Sequence, residues 1–275
     1  MHAQVRIALA LALLLACAPR PAASSVPAGA TREGSPAAET EEPAAASERP
    51  PAPAAEESAT ASASELVAVE TSVKPGINDV WRSGRTASLV KRLESESREV
   101  WVQRERIVEV VGARPGMVIA DIGAGSGFFT LMLARAVSPG GEVYALDIND
   151  ALLARIARRA RTEGLRNVHT VVTPERAIPL APESVDLVFL CDAYHHFEYP
   201  RAMMRSIRAA LRPGGELVLV ELERIPGVTS PAMLRHVRAP REVFQREIES
   251  DGFVLVRAHE VPALKEHYVL RFRKL

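Results

Sequence analysis

Asp121-Ile122-Gly123-Ala124-Gly125-Ser126-Gly127 sets three alternate glycines behind a carboxylate, a spacing that suits a main-chain cradle for a nucleotide-like ligand. Glycines leave no side chain between backbone amides and ligand, and a following helix begins with unpaired N–H groups. A second carboxylate, Asp147, closes the run Glu142-Val143-Tyr144-Ala145-Leu146, where it can accept hydrogen bonds from both hydroxyls of a ribose. The third stretch is Cys191-Asp192-Ala193-Tyr194-His195-His196-Phe197. An imidazole titrates near neutral pH, so His195 or His196 could take a proton from a reacting group. Adjacent side chains usually diverge, so at most one of the two is expected to face a reacting atom, and each also reads as a turn cap or a packing residue. Two neighbouring histidines do not supply the spaced ligand set of zinc, so no metal is expected. His236, His259 and His267 show no constellation, and Cys191, after the apolar Leu187 to Leu190, reads as a buried thiol.

The elements that must position these groups alternate. Met117 to Ile122 reads as a buried parallel strand and Phe129 to Val137 as a helix, which makes the glycines a strand-to-helix turn. Ser138-Pro139-Gly140-Gly141 turns into the second strand, and Ala151 to Glu163 is a basic helix stopped by Gly164. Val168 to Thr173 and Val185 to Asp192 are the third and fourth strands. Pro200 to Leu211 is a helix, and Glu216 to Glu223 is a fifth strand entered through Arg212-Pro213-Gly214-Gly215. This alternation means parallel strands joined by right-handed crossovers, an α/β Rossmann-like sheet with helices on both faces. Ala232 to Ser250 reads as one helix, followed by Phe253 to Val261 and His267 to Arg273 as a hairpin, which places one antiparallel strand at the end of the sheet. Upstream, Ser88 to Val111 reads as one long amphipathic helix ending at Gly112, and the turn-rich Lys74 to Trp81 is placed to fold over the site.

A dinucleotide fingerprint would need a third glycine where Phe128 stands, which disfavours an NAD-dependent oxidoreductase. The acidic-x-Gly-x-Gly-x-Gly form, with Asp147, the fourth-strand stretch and Pro213-Gly214-Gly215, resembles class I S-adenosylmethionine (SAM)-dependent methyltransferases, of a type that includes quinone-ring methylating enzymes. The resemblance spans roughly residues 85 to 275 and implies SAM as cofactor and seven strands in the order 3-2-1-4-5-7-6. It also implies that Gly123 and Gly125, with Gly127 completing the turn, pass under the methionine part, Asp121 helps hold the amino group, Asp147 holds the ribose and Ile148 lies against adenine. Asp192 and its loop would set the methionine end and begin the acceptor pocket. Members commonly carry an Asp where this chain has Thr173-Pro174-Glu175, so Glu175 either replaces it toward the adenine or is a solvated loop carboxylate.

No Phe, Trp or Tyr precedes Trp81, so the chain before it cannot supply a core. Met1 to Arg6 is basic and Ile7 to Ala16 is a ten-residue apolar run, about half of the roughly 20 residues that span a bilayer, which reads as a signal peptide over residues 1–16. Leu14-Leu15-Ala16-Cys17 resembles a bacterial lipobox, implying lipidation of Cys17 and a location in the cell envelope. Residues 17–73, rich in Ala, Pro, Ser and Glu, read as a tether. The expected domain division is then a helical cap over 74–111 and a SAM-binding domain over 112–275. Residues 74–275 carry 30 basic and 25 acidic side chains, too even and dispersed a charge for a nucleic-acid partner. The expected partners are a small or lipid-like methyl acceptor and, through the lipid, a membrane. A protein that keeps the fold and the pocket but transfers no methyl group is the alternative from another functional class.

Overall fold

The computed structural model describes residues 70–82 and 86–275. The signal segment 1–16, Cys17 and the tether up to residue 69 lie outside the described residues. In chain order the elements are α1 (Asp79–Arg82), α2 (Thr86–Leu93), α3 (Glu99–Val102), α4 (Arg104–Val111), β1 (Val118–Ile122), α5 (Phe128–Ala136), β2 (Glu142–Asp147), α6 (Asp150–Thr162), β3 (Val168–Val172) and β4 (Val185–Cys191). There follow α7 (Pro200–Ala210), β5 (Leu211–Leu222), α8 (Pro231–His236), α9 (Arg241–Ser250), β6 (Phe253–His259) and β7 (His267–Lys274).

The strands form one sheet of seven in the order β3-β2-β1-β4-β5-β7-β6, parallel except for β7, which runs antiparallel to both neighbours. The parallel strands and the antiparallel end are those expected from the strand and helix patterns, and the strand order is the one the resemblance implies. Successive residues of a strand point to opposite faces, and the two sides of the core follow that period of two. Ala120, Ile122, Val188 and Leu190 pack with Met204 and Ile207 of α7 and Phe244 of α9 on one face. Ile119, Leu187 and Phe189 pack with Ile107 of α4 and Phe129 and Leu133 of α5 on the other. Such side chains each contribute about 1.5–3 kcal/mol on burial, which holds the carboxyl ends of the parallel strands in fixed register. The order reverses between β1 and β4, and loops diverging there leave a crevice.

Four local expectations are corrected. The helix expected over Ser88 to Val111 is broken after Leu93: the Ser95 hydroxyl accepts from Ser97 N at 3.3 Å and Arg98 Nη1 donates to Leu93 O at 2.8 Å, side-chain bonds that compete with the helical ladder. The helix expected over Ala232 to Ser250 ends at His236 and restarts at Arg241, because Pro240 fits before a helix but not inside one. Arg212 to Gly215 lies within β5 as an irregularity, with Val185 paired to Leu211 and Leu187 already paired to Glu216. The folded part also extends back to Glu70, whose carboxylate accepts from Arg201 N at 2.9 Å and Ala202 N at 2.8 Å. Tyr199 provides no side-chain cap for α7, so an acidic group from a distant segment satisfies those first amides.

Candidate functional site

β1 delivers the glycine loop to the crevice. Gly123 N and Ala124 N donate to Leu146 O at 2.8 and 3.0 Å, so the loop is bonded to the end of β2. Asp147 strengthens the join: Gly125 N donates to its Oδ2 at 2.8 Å and Asn149 N to its Oδ1 at 2.9 Å. Gly125 has φ of 55°, a region costly to most residues, and a Cβ there would stand 2.9 Å from Leu93 Cδ1 of the overlying α2. Gly127 faces elsewhere. A Cβ at that position would meet Ile156 Cγ1 at 2.5 Å, so its missing side chain serves the approach of α6. Asp121 is buried behind the loop and accepts the Thr130 hydroxyl at 2.6 Å. Burial pushes its carboxyl up to about 7, the Thr130 bond opposing and the nearby Asp147 charge adding to the rise.

The main cavity encloses about 1080 Å³ not filled by protein atoms, part of it open to solvent. Gly123, Gly125, Asp147 and Ile148 line it from β1 and β2, Thr173 to Glu175 from the end of β3, and Cys191 to Ala193 with His195 to Phe197 from the loop after β4. Asn78, Trp81 and Leu93 cover it, and Met203, Met233 and His236 close the far side. Asp121 lies instead on a small adjoining cavity shared with Gly123, Gly125 and Cys191. Cys191 is half-buried on the wall of both cavities, and desolvation pushes its thiol well above the ordinary range. Three buried polar atoms on residues of the main cavity have no hydrogen-bond partner among the described residues: Trp81 Nε1, Thr173 Oγ1 and His196 Nδ1. Buried polar atoms are normally paired, so these fit a ligand that brings hydrogen-bonding groups.

Several contacts fasten the cap, three of them at the cavity. Arg82 pairs with Glu175, Asn149 Nδ2 donates to Trp81 O at 2.5 Å, and Arg98 Nη2 donates to Asp192 Oδ2 at 2.6 Å. Glu175 is therefore engaged by the cap. Asp192, at φ of 50°, belongs to a buried chain of charges: its Oδ1 faces His267 Nε2 at 2.9 Å, and His267 Nδ1 faces Glu99 Oε1 at 2.6 Å. Glu99 also accepts from Lys265 N and Glu266 N at 2.7 and 2.8 Å. Burial opposes the charge on His267, but the carboxylates of Asp192 and Glu99 outweigh it and hold its pKa up to about 10. The same contacts overcome the burial of Asp192 and Glu99 and keep both carboxyls below their ordinary range. His267, expected to join no constellation, is thus a charged post between cap and β4 loop.

A pH series should reveal it. The folded pKa of His267 lies above its unfolded value near 6.5, so its stabilisation is complete below that value, declines as pH rises and is gone above about 10. We expect wild-type stability in urea to fall between pH 7 and 10 with a slope that His267→Gln flattens. Equal slopes in the two proteins would refute the assignment.

The β4 loop supplies the remaining groups. After Asp192 the chain makes a 3₁₀ turn, Tyr194–His196, that turns both imidazoles onto the cavity with ring centroids 4.3 Å apart. Both therefore line the cavity, whereas the expectation concerned which of them faces a reacting atom. His236, at the end of α8, stands 5.0 Å from each ring, so the expectation that it joins no constellation is corrected. His195 Nδ1 meets Glu221 Oε1 at 2.8 Å, and Glu221 also accepts from Leu222 N at 2.8 Å and His195 N at 3.2 Å. Glu221 has no exposed surface, so these bonds satisfy a carboxylate that would otherwise be costly to bury. Burial first, then the neighbouring imidazoles, lower His196 to about 2 and His236 to about 4, leaving both neutral near pH 7. Glu221 did carry a local signal: a carboxylate inside the apolar run Leu217 to Leu222 needs a buried partner. Arg98, Glu99 and His236 carried none, since each meets its partners only across the fold.

Residues 120–219 match the family model described as a methyltransferase domain. The ubiquinone/menaquinone biosynthesis C-methyltransferase UbiE of Shewanella sp. (strain W3-18-1) is 31% identical over 122 residues, 44% of this chain and 49% of that protein. Its counterpart in Shewanella baltica is 32% identical over 118 residues, 42% and 47% of the two chains. The chain spans about half the length of the curated relatives it matches. Among solved structures, a SAM-dependent methyltransferase from Aquifex aeolicus superposes with a TM-score of 0.62 at 24% identity, over 68% of this chain and 98% of the other. The [4+2]-cyclase SpnF superposes at 0.55 with 19% identity, over 66% and 84%. The fold is that of class I methyltransferases, and SpnF is a reminder that a fold does not by itself name a reaction.

Proposed function

We propose that this chain is a SAM-dependent methyltransferase acting on a small or lipid-like acceptor, with a quinone-type ring as the leading candidate. The observation that carries the reading is Asp147: a buried carboxylate at the end of β2, bonded to the glycine-loop amide and facing a cavity with unpartnered polar atoms. In this reading Asp147 accepts from the ribose hydroxyls, Ile148 lies against the adenine, and Gly123 and Gly125 offer bare backbone to the methionine part. Asp121, poised near 7, ionises fully when an ammonium group is placed beside it. Glu175 and Asp192 act through the cap, which they hold by Arg82 and Arg98, and Gly127 acts through the packing of α6. When bound, SAM supplies an electrophilic methyl group on a cationic sulfur.

The chain's own task is then to hold a nucleophilic atom in line, exclude water and, where the acceptor needs it, remove a proton. Phe197, Met203, Met233 and Trp81 provide an apolar surface for a ring. His195 is the base: Glu221 holds Nδ1–H, which leaves Nε2 with a lone pair to offer. The names of the UbiE relatives support a quinone-type ring. Calorimetric titration of the full chain with SAM and with NADH tests the cofactor. Binding of SAM without NADH is expected, and Phe128 supports it, being packed edge-on against Trp101 where an NAD fingerprint has glycine. Tight NADH binding without SAM would overturn the reading, and SAM binding with no methyl transfer to any envelope lipid or quinone extract would favour the non-catalytic alternative.

The same proposal places the protein in the bacterial envelope, held by lipid on Cys17. Cys17→Ser should release it from the membrane fraction while SAM affinity is unchanged, because the described residues that line the cavity all lie beyond 77. A mutant that stays in the membrane fraction would show that another element anchors it.

A further inference from the structure

His195, His196 and His236 converge from two separate segments, and one ring nitrogen of each lies within 4.8 Å of the others. We propose that these three side chains bind a divalent first-row transition metal of the zinc type, with an open position toward the main cavity. The inference rests on the geometry of the cluster and is independent of whether the chain transfers methyl groups.

Two observations support it. Among the described residues no hydrogen bond reaches a ring nitrogen of His196 or His236, and His196 Nδ1 is buried without a partner. Such an arrangement wastes polar atoms unless something binds them. His195 donates Nδ1–H to Glu221, the carboxylate partnership that commonly fixes a metal-ligating imidazole and leaves its other nitrogen for the ion. Tetrahedral Zn–N bonds of roughly 2.0–2.1 Å place ligand nitrogens about 3.4 Å apart, so nitrogens up to 4.8 Å apart must close by up to about 1.4 Å. Glu221 and Asp192 favour a cation electrostatically, while Arg92 and Lys74 oppose it. Lys74 also donates to the carbonyls of Arg235 and His236 at 2.5 and 2.6 Å, which holds the end of α8 in place.

An ion held there would change how an acceptor is activated. A hydroxyl coordinated at the open position ionises nearer neutral pH, releasing its proton to solvent. His195 Nε2 would then be spent on the metal, and its role as base would belong to the metal-free protein. His236 separates the two mechanisms, since only the metal requires it.

The test uses the full chain without an affinity tag, stripped with chelator and titrated with Co²⁺, with elemental analysis after Zn²⁺ loading. One equivalent of metal, the intense visible absorption of four- or five-coordinate cobalt and its displacement by Zn²⁺ are expected. His236→Ala should weaken Co²⁺ binding by at least roughly 100-fold, and Glu221→Gln by roughly 10–100-fold. Circular dichroism and a SAM titration on each variant report the fold. Substoichiometric metal, the weak spectrum of hexa-aquo-like cobalt, or undiminished binding in folded His236→Ala would overturn the proposal. Cobalt bound without SAM would sink the methyltransferase reading and leave the metal site standing, and SAM bound without cobalt would do the reverse.

Discussion

His195→Ala will lower turnover by roughly 10²–10⁴-fold with SAM affinity retained, once an acceptor is in hand. Of the three imidazoles on the cavity, only His195 has a carboxylate on one nitrogen, and Glu221 both selects the tautomer and stabilises the cation formed when Nε2 takes a proton. In the metal-free protein His196 lacks that partner and sits at about 2, so His196→Ala should cost much less there. Glu221→Gln should recover part of the loss seen in Glu221→Ala, because an amide oxygen can still accept from Nδ1–H. Removing the imidazole leaves the buried Glu221 short of a donor, so some loss of stability, about 1–3 kcal/mol, accompanies the kinetic effect. Single-turnover rates at saturating SAM separate the two. A turnover unchanged in His195→Ala would mean that the loop only shapes the pocket and that the acceptor arrives already ionised.

Asp147→Ala should weaken SAM binding by about 1–3 kcal/mol, through lost hydrogen bonds from the ribose to a charged acceptor. The structure adds a second cost. Gly125 N and Asn149 N both donate to this carboxylate, and alanine orphans two buried backbone donors at about 1–3 kcal/mol each. Urea unfolding should therefore show a loss of stability in the absence of cofactor. Asp147→Asn keeps one acceptor oxygen and removes the charge, so it should be intermediate in both measurements. Wild-type affinity in a folded Asp147→Ala protein would remove this residue from the cofactor site and with it the observation on which the proposed function rests.

The strands and the crevice were legible in the sequence because burial on a parallel sheet is a local pattern. Unbroken runs such as Leu187 to Leu190 must be covered on both faces, and the helices that cover them carry their own period between the strands. The glycine loop and Asp147 were legible for a related reason: each sits at a strand's end, so its place in the sequence is also its place at the crevice. Helix ends were less so. Ser95 and Pro240 interrupt stretches whose apolar spacing continues through them, and the interruption is decided by side-chain bonding and ring sterics rather than by period.

Only the tertiary structure decided which charged and imidazole groups meet. Asp192 is adjacent in sequence to nothing that explains its burial, yet Arg98 arrives from the cap and His267 from the start of β7. His236 reaches His195 and His196 because α8 ends, ahead of Pro240, beside the loop that follows β4. Glu221 reaches His195 because β5 lies next to β4 in the sheet. The physical reason is common to all three. Periodicity specifies which face of an element is buried, but the contacts between elements depend on strand order, crossover path and the points at which helices stop, and these are settled by packing across the whole sheet.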